Sequence, residues 1–281
     1  MKKSILAISS AVLLSITQLN AAEENTISVM SFNLRYAAAN DANNSWPYRQ
    51  DIVLHTIEKY SPALIGTQEC MMGQSDFILR NAQAYYFYGA GRENSGFGEM
   101  AGVFYNKTLC TPMEMGTFWL SETPDVPGSK SWGAACPRTV SWMKVRYLPS
   151  QKYFYYFNTH FDHISEDARQ GAAKMLLEKV NAIAGQSPVI ITGDFNSPEN
   201  SAAWKVMKEG GFGDAYLTAK KKTGPETTFH GFMKADMSVP NRIDWILTRN
   251  VKDVLSYETI TFNDNNFYPS DHYPIIAEIE L

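Results

Sequence analysis

Residues 188–200 read PVIITGDFNSPEN. Pro188 precedes the apolar run VIITG, which is short and apolar enough to predict a buried β-strand. Gly193 allows close approach of the backbone, and alternation along an extended segment would point Asp194 and Asn196 to the same side. A carboxylate beside an amide can orient a water molecule and hold a phosphate. The alternative for the same string is an Asx turn that leads into a helix.

The segments on both sides of this stretch are predicted to alternate between helix and strand. Downstream, Ser197-Pro198 matches an N-cap and a first helical position, and Gly210-Gly211 would end the helix. Upstream lies a strand over 153–158, followed by a helix over 166–184 with apolar residues along one face. The order is therefore strand, helix, strand, helix.

The N-terminal third of the chain repeats this order. A strand is predicted over 26–34, a helix over 48–60 and a short buried strand over 63–67. The C-terminal part reads mainly as strands, in RIDWILT and IIAEIEL. Crossovers interleaved with hairpin-like segments favour an α/β protein with mixed sheets over a purely parallel, doubly wound one.

Polar residues follow the predicted strands at or near the point where each strand ends. They are Asn33, Glu69, His160, Asp194 and Asp244. Strand ends are rigid places on which to assemble a site. We therefore expect these side chains to come together.

Glu69 and the SDHYP string at 270–274 add groups that metal-assisted phosphate chemistry requires. Hydrolysis of a phosphate ester needs a cation on the phosphoryl oxygens and a group that activates water. Glu69 is a candidate ligand for Mg²⁺, which prefers hard oxygen donors. His272 could contact a phosphate if Asp244 accepts its other N–H and fixes its tautomer. Each residue alone is more often a solvated or structural one, so the prediction depends on the ensemble.

Six strings in order between Ser31 and the C-terminus carry a family resemblance. They are SFNLRY, TQE, NTHFDH, GDFNSPE, IDWIL and SDHYPI. The chain resembles the endonuclease/exonuclease/phosphatase superfamily, and FWLSETP with WGAACPRTVSW looks most like its secreted bacterial members. The resemblance implies a DNase I-like, four-layer α/β sandwich in which two packed mixed β-sheets are flanked by helices.

The same resemblance implies a role for each matching position. Asn33, Glu69 and Asp271 match metal-binding residues, and His160 matches a catalytic histidine. Asp194 matches the residue that activates water, and Asn196 matches its phosphate-contacting partner. Asp244 and His272 match a hydrogen-bonded pair with His272 on the phosphate.

Arginines are the weaker candidates. Some nucleases of the family have a carboxylate where this chain has Arg35. The sequence therefore does not decide whether the site binds one metal ion or two. Arg35 could clamp an anionic oxygen instead. The other weak candidates for phosphate binding are Arg49, Arg92, Arg138 and Arg169, with Glu99 beside them. His160 and His163 are three residues apart, so an extended strand would point them to opposite faces and argue against a shared metal.

The N-terminus indicates export. Lys2 and Lys3 precede an apolar run over 5–16 and small residues up to Ala22, which is the order of a cleaved signal peptide. The run is too short for a membrane anchor, which needs about 18 continuous apolar residues. We predict a signal peptide over 1–21 and one endonuclease/exonuclease/phosphatase domain over 22–281 of a secreted or periplasmic protein.

Composition bears on partners. Without Lys2 and Lys3 the chain has 23 basic and 29 acidic residues, a formal charge of -6. This balance does not favour general binding to nucleic acid, and we expect a monomer that acts on a phosphate-ester substrate. Cys70, Cys110 and Cys136 allow at most one internal disulfide and lack zinc-site spacing, so we expect buried small hydrophobes.

These inferences combine into one functional prediction. The chain is expected to be a Mg²⁺-dependent phosphoesterase, with Mn²⁺ as a possible substitute, that hydrolyses phosphodiester or phosphomonoester bonds by in-line attack of water. The alternatives are a DNase-like nuclease, a sphingomyelinase-type phospholipase and a non-catalytic binding module. Filled positions at every main role disfavour the binding module.

Overall fold

The computed structural model describes residues 24–281, so the predicted signal peptide over 1–21 lies outside the described residues. Thirteen strands form two β-sheets of seven and six strands. The strands of the first sheet are β1 (Thr26–Asn33), β2 (Leu64–Cys70), β3 (Tyr85–Tyr88), β4 (Met100–Asn106), β10 (Lys221–Thr223), β12 (Asp253–Thr259) and β13 (Ile275–Glu280). Those of the second are β5 (Cys110–Trp119), β6 (Thr139–Tyr147), β7 (Tyr153–His160), β8 (Val189–Asp194), β9 (Gly213–Asp214) and β11 (Asp244–Arg249).

Within residues 26–281, five α-helices and one 3₁₀ turn connect the strands. The helices are α1 (Trp46–Tyr60), α2 (Met72–Asn81), α3 (Glu166–Ala184), α4 (Ala202–Glu209) and α5 (Ala215–Thr218), and the 3₁₀ turn is Ala42–Asn44. No helix within residues 24–281 is long and apolar enough to cross a membrane.

Both sheets are mixed. The first has the order β10-β12-β13-β1-β2-β4-β3, in which β1 pairs parallel with β2 and antiparallel with β13. The second has the order β5-β6-β7-β8-β11-β9, in which β7 and β8 are parallel and β8 and β11 antiparallel. These two parallel pairs are the strand-helix-strand units predicted from the sequence, because a parallel connection needs a crossover. A third parallel pair, β10 with β12, was not predicted.

Apolar side chains alternate between two cores along each central strand. In β8, Ile190 packs in the core between the sheets, whereas Val189 and Ile191 pack against α3. In β1, Val29 lies between the sheets and Met30 lies under α1. Both faces of these strands are buried, which explains continuous apolar runs such as VIITG. The predicted sandwich of two mixed sheets flanked by helices is confirmed.

A buried polar network crosses the sandwich below the strand ends. Asn158 of β7 donates to the carbonyls of Thr67 and Gly102 in the first sheet, at 2.8 and 2.9 Å. Its Oδ1 accepts from Gln68 Nε2 at 2.8 Å. Gly66 lets the sheets approach this closely, because a Cβ there would lie 2.1 Å from Oγ1 of Thr192. Directional bonds therefore fix how the sheets align, which apolar packing alone does not.

One predicted helix start is wrong. Ser197-Pro198 does not cap a helix, because the chain first makes a loop, and α4 begins at Ala202 with Ser201 as its N-cap. Oγ of Ser201 accepts from the backbone N–H of Trp204 at 3.2 Å. The predicted end is right: Gly210 is the C-cap, and Gly211 adopts φ 85°.

Replacing Asn158 tests the polar network. Asn158→Leu would remove the donor to two backbone carbonyls and the acceptor that serves Gln68 and Thr192 in the core, so we expect a loss of about 3 kcal/mol in the free energy of unfolding. Chemical denaturation measures it. Asn81→Leu at the exposed end of α2 is the control and should change stability little. Equal stabilities would show that the network does not hold the sheets.

Candidate active site

The candidate site lies at one edge of the sandwich, where strands of both sheets end. Asn33 is the last residue of β1, and Glu69 is the penultimate residue of β2. His160 ends β7, Asp194 ends β8, and Asp244 begins the antiparallel β11. Strand register pairs Asp194 with His160 on one side and with Asp244 on the other. The fold therefore brings together the polar strand-end residues that the sequence singled out.

Asn33 joins the two sheets within the site. Its Nδ2 donates to Glu69 Oε1 at 3.1 Å and, across the sandwich, to Asp194 Oδ2 at 3.0 Å. Its Oδ1 accepts from the backbone N–H of Arg35 at 2.9 Å. Asn33 is 1% exposed, so its amide orients two carboxylates rather than facing solvent.

Left-handed backbone occurs at three site residues. Arg35, Glu69 and Asn196 have φ values of 55°, 56° and 47°, a region that side-chain-bearing residues rarely adopt and that concentrates at functional sites. The extended conformation expected at Asn196 is wrong, because the chain turns after Asp194 and the Asn196 N–H donates to Asp194 Oδ1 at 2.9 Å. Asp194 and Asn196 therefore form an Asx turn and also belong to the polar site, two interpretations that the sequence presented as alternatives.

A polar cleft of about 880 Å³ opens over these strand ends. Its walls combine both signs of charge with a few aromatic side chains. The predicted residues that line it are Arg35, Glu69, Arg92, Glu99, Arg138, His160, His163, Asn196, Asp271 and His272.

Glu69 and Asp271 offer carboxylates at the floor of the cleft. Glu69 Oε2 accepts from the backbone N–H of Tyr36 at 2.8 Å, which fixes the carboxylate while leaving lone pairs free. Burial and the nearby charge of Glu69 raise the pKa of Asp271, against the opposing effect of His272 and Arg35. A cation would relieve this repulsion. Oxygen donors from the two carboxylates fit a hard ion such as Mg²⁺, and the amide nitrogen of Asn33 orients the Glu69 carboxylate.

Asp194, Asp244 and His272 form a buried charged cluster. His272 Nδ1 lies 2.9 Å from Asp244 Oδ2, and its Nε2 lies 3.7 Å from Asp194 Oδ2. Burial opposes the imidazolium, but the carboxylates of Asp244 and Asp194 outweigh it and raise the pKa of His272 to about 10. Burial and the Asp244 charge raise the pKa of Asp194 to about 7. A cationic His272 therefore sits beside a carboxylate that exchanges its proton near neutrality.

His160 has the opposite electrostatic environment. Its Nδ1 lies 2.8 Å from Arg138 Nη1, and Arg138 Nη2 lies 3.1 Å from His163 Nδ1. Burial and the Arg138 charge hold the pKa of His160 well below its usual range. The expectation that His160 and His163 face opposite ways is wrong, because β7 ends at His160 and the chain then turns. The two rings share an arginine.

Two of the weak arginine candidates are corrected by the structure. Arg49 is fully buried, and its guanidinium donates to backbone carbonyls of Asn44, Leu34, Arg35 and Pro269. Arg49 therefore stabilises the loops beneath the site and does not line the cleft. Arg169 lines a separate depression and donates to the carbonyl of Asp162 at 3.1 Å.

The other three arginines line the cleft but are already paired. Arg35 binds Asp41 through two hydrogen bonds of 2.8 and 2.9 Å, and Arg92 binds Glu99 at 2.8 Å. Arg138 holds the two histidines. Any contact with substrate would therefore use the remaining donors of each guanidinium.

The sequence did not predict several residues that line the cleft. Asp41, Phe232 and Lys234 come from loops, where no periodicity marks the residues that face a site. Cys136 was expected to be a buried hydrophobe, as Cys70 and Cys110 are, yet it is half-buried and lines the cleft. No disulfide forms among the three.

Comparison with known proteins gives one family. The model of the endonuclease/exonuclease/phosphatase family matches residues 30–272. An uncharacterised protein, L388, of Acanthamoeba polyphaga mimivirus is 25% identical over 259 residues, which cover 84% of this chain and 92% of that protein.

Two solved structures extend the comparison. An endonuclease/exonuclease/phosphatase from Bacteroides vulgatus is 34% identical, with a TM-score of 0.87 over 91% of this chain and 99% of that one. A mannosyl-6-phosphatase from Bacteroides thetaiotaomicron is 31% identical, with a TM-score of 0.83 over 90% and 99% of the two chains.

Calorimetric titration with Mg²⁺ and Mn²⁺ tests the donor set. Glu69→Gln removes one ligand charge, so we expect the affinity to fall roughly tenfold or more, because ligand charge sets the affinity of hard cations. Asp125→Asn also replaces a carboxylate with an amide, but at an exposed position outside the cleft. This control should bind Mg²⁺ and Mn²⁺ with the affinity of the unaltered chain. Undiminished affinity in Glu69→Gln would place the cation elsewhere.

Proposed function

Because this chain belongs to the endonuclease/exonuclease/phosphatase family, we propose that it is a Mg²⁺-dependent phosphoesterase in which Asp194 activates water. Members of this family are metal-dependent phosphoesterases. The observation that carries the proposal is the convergence of metal-type donors, a carboxylate with a near-neutral pKa and a cationic histidine at one set of strand ends.

Glu69 and Asp271 would hold the cation, with Asn33 oriented beside them. When bound, a divalent cation neutralises phosphoryl oxygens and so lowers the electrostatic barrier to an incoming nucleophile. Mn²⁺, which accepts the same oxygen donors, is expected to substitute. The buried Asp194-Asp244-His272 group is a poorer metal site, because the Nδ1–H of His272 is committed to Asp244.

The chain's own residues divide the remaining work. Asp194 accepts a proton from water, and two hydrogen bonds, from the Asn33 amide and the Asn196 N–H, fix its orientation. His272 supplies a positive charge to the transferring phosphoryl group, and Asp244 holds its ring. Asn196 and His160 supply N–H donors from the facing wall of the cleft. Preorganised donors of this kind stabilise charge that develops in the transition state.

We propose a phosphorylated sugar or similar small polar phosphate ester as the substrate. The mannosyl-6-phosphatase relative supports this class. The cleft supports it as well, since its walls mix donors and acceptors suited to hydroxyl groups. Lys234 also lines the cleft and can meet an anionic or hydroxyl-rich group. The excess of acidic residues disfavours nucleic acid.

We also propose that the mature protein acts outside the cytoplasm. The support is the charged, apolar and small-residue order of the first 22 residues. N-terminal sequencing of the protein recovered from its native host would show a start near residue 22 if the segment is removed.

A substrate panel tests the proposed activity. Protein with Mg²⁺ is assayed against mannose 6-phosphate, other hexose phosphates, bis-p-nitrophenyl phosphate, sphingomyelin, DNA and RNA. We expect hexose phosphates to give the highest kcat/KM, and EDTA to abolish turnover until Mg²⁺ or Mn²⁺ is restored. A preference for DNA or sphingomyelin would overturn the substrate class, and EDTA-resistant turnover would overturn the metal dependence.

Asp194→Asn tests the water-activating role. The substitution keeps the size of the side chain but removes the proton acceptor, so we expect kcat to fall about 10³-fold. Asp125→Asn is the matched control and should retain kcat. Full activity in Asp194→Asn would assign the general base to another residue.

A further inference from the structure

Arg138 contacts two histidines with one guanidinium. It immediately precedes β6 and is only 6% exposed. Its two terminal nitrogens reach Nδ1 of His160 at 2.8 Å and Nδ1 of His163 at 3.1 Å. The buried side chain therefore binds the inner nitrogen of both rings.

The donor chemistry of this contact determines where the His160 proton lies. A guanidinium has only N–H donors and remains charged at any ordinary pH. Nδ1 of His160 must therefore accept, which leaves the proton of the neutral ring on Nε2. An imidazolium would set an N–H of the ring against an N–H of Arg138. The same reasoning puts the proton of His163 on its Nε2.

The other side of the His160 ring faces the reaction. Nε2 lies 3.5 Å from Asp194 Oδ2 and 3.1 Å from Nδ2 of Asn196. Asn196 Nδ2 also donates to the carbonyl of Phe161 at 3.1 Å, so Nε2 of His160 faces a donor as Nδ1 does. A neutral ring accepts at only one nitrogen, and the contact with the buried, charged guanidinium is the shorter and stronger of the two, so Nδ1 is the acceptor. Both His160 and Asn196 line the cleft. The result is a pair of N–H groups beside the carboxylate that activates water.

The acidic groups around Arg138 leave the proton of His160 on Nε2. Glu99 lies 3.9 Å from Arg138 Nη1, but its short contact of 2.8 Å is with Arg92. Among the residues that the structure describes, 24–281, Asp194 is the carboxylate that comes as close as 3.5 Å to a ring nitrogen of His160. His272 differs, because Asp244 accepts from its Nδ1.

We propose that Arg138 is a positioning residue that fixes His160 as a neutral donor through Nε2–H, so that His160 stabilises charge on the phosphoryl group and does not protonate the leaving oxygen. This inference rests on the proposed phosphoesterase function. It also predicts that the two site histidines have different roles, one as a neutral donor and the other as a cation.

Nitrogen-15 NMR of the labelled protein reads the tautomer directly. Two-bond correlations from the ring protons distinguish protonated from unprotonated ring nitrogens, and His160→Gln identifies the His160 signals. At neutral pH we expect an unprotonated Nδ1 and a protonated Nε2. A proton on Nδ1, or on both nitrogens, would overturn the proposal.

Substitutions at position 138 test the positioning role. Arg138→Met removes the donors at similar length, so we expect mixed tautomers at His160 and a fall in kcat of roughly 10- to 100-fold, with a smaller change in KM. Arg138→Lys keeps one cationic donor and should recover part of the tautomer signal and of kcat. Asp125→Asn, at an exposed position outside the cleft, is the control and should keep both the His160 tautomer and kcat.

Two results separate this inference from the proposed function. A phosphoesterase whose His160 keeps the same tautomer and the same kcat in Arg138→Met would overturn the positioning role alone. A folded protein with the expected NMR pattern that hydrolyses no phosphate ester would instead contradict the proposed function.

Discussion

The amide of Asn33 makes the interaction on which the site depends. It donates to Glu69 in its own sheet and to Asp194 in the facing sheet, at 3.1 and 3.0 Å. The sheets of a sandwich are held largely by apolar packing, which has no preferred direction. Hydrogen bonds to Asn33 and, deeper in the core, to Asn158 make their alignment specific. The Glu69 carboxylate at a strand end of one sheet can then face His160 and Asp194 at the strand ends of the other.

Once the sheets are aligned, the burial of each titratable side chain and the charges beside it determine its pKa. Burial and, next to it, the charge of Asp244 raise the pKa of Asp194 to about 7, so this carboxylate holds its proton more tightly than an exposed one. His272 gains its charge from those same acids, whereas His160 loses it to burial and Arg138. Two histidines in one cleft are thus placed in opposite protonation states by their neighbours. Groups with divergent pKa values in one cleft are typical of acid–base sites.

The sequence predicted the six strands on which the site is built and where they end, because burial on both faces gives continuous apolar runs and polar residues mark where they stop. It did not predict others, such as β4, β5 and β6. It predicted poorly what depends on turns. Asn196 was expected on an extended segment, yet its φ is 47°. His163 was expected to face away from His160, yet both bind Arg138. Arg49 looked like any surface arginine, and only the folded chain shows its carbonyl partners. Such contacts join residues distant in sequence, so no local pattern carries them.

Crystals grown with Mn²⁺ and inorganic phosphate would test most directly that one cleft unites metal and phosphate binding. Anomalous scattering should place Mn²⁺ on Glu69 and Asp271. The phosphate should contact Asn196, His160 and His272 in the same cleft. Manganese bound away from Glu69, or phosphate outside the cleft while the protein is active, would contradict this assignment of the site.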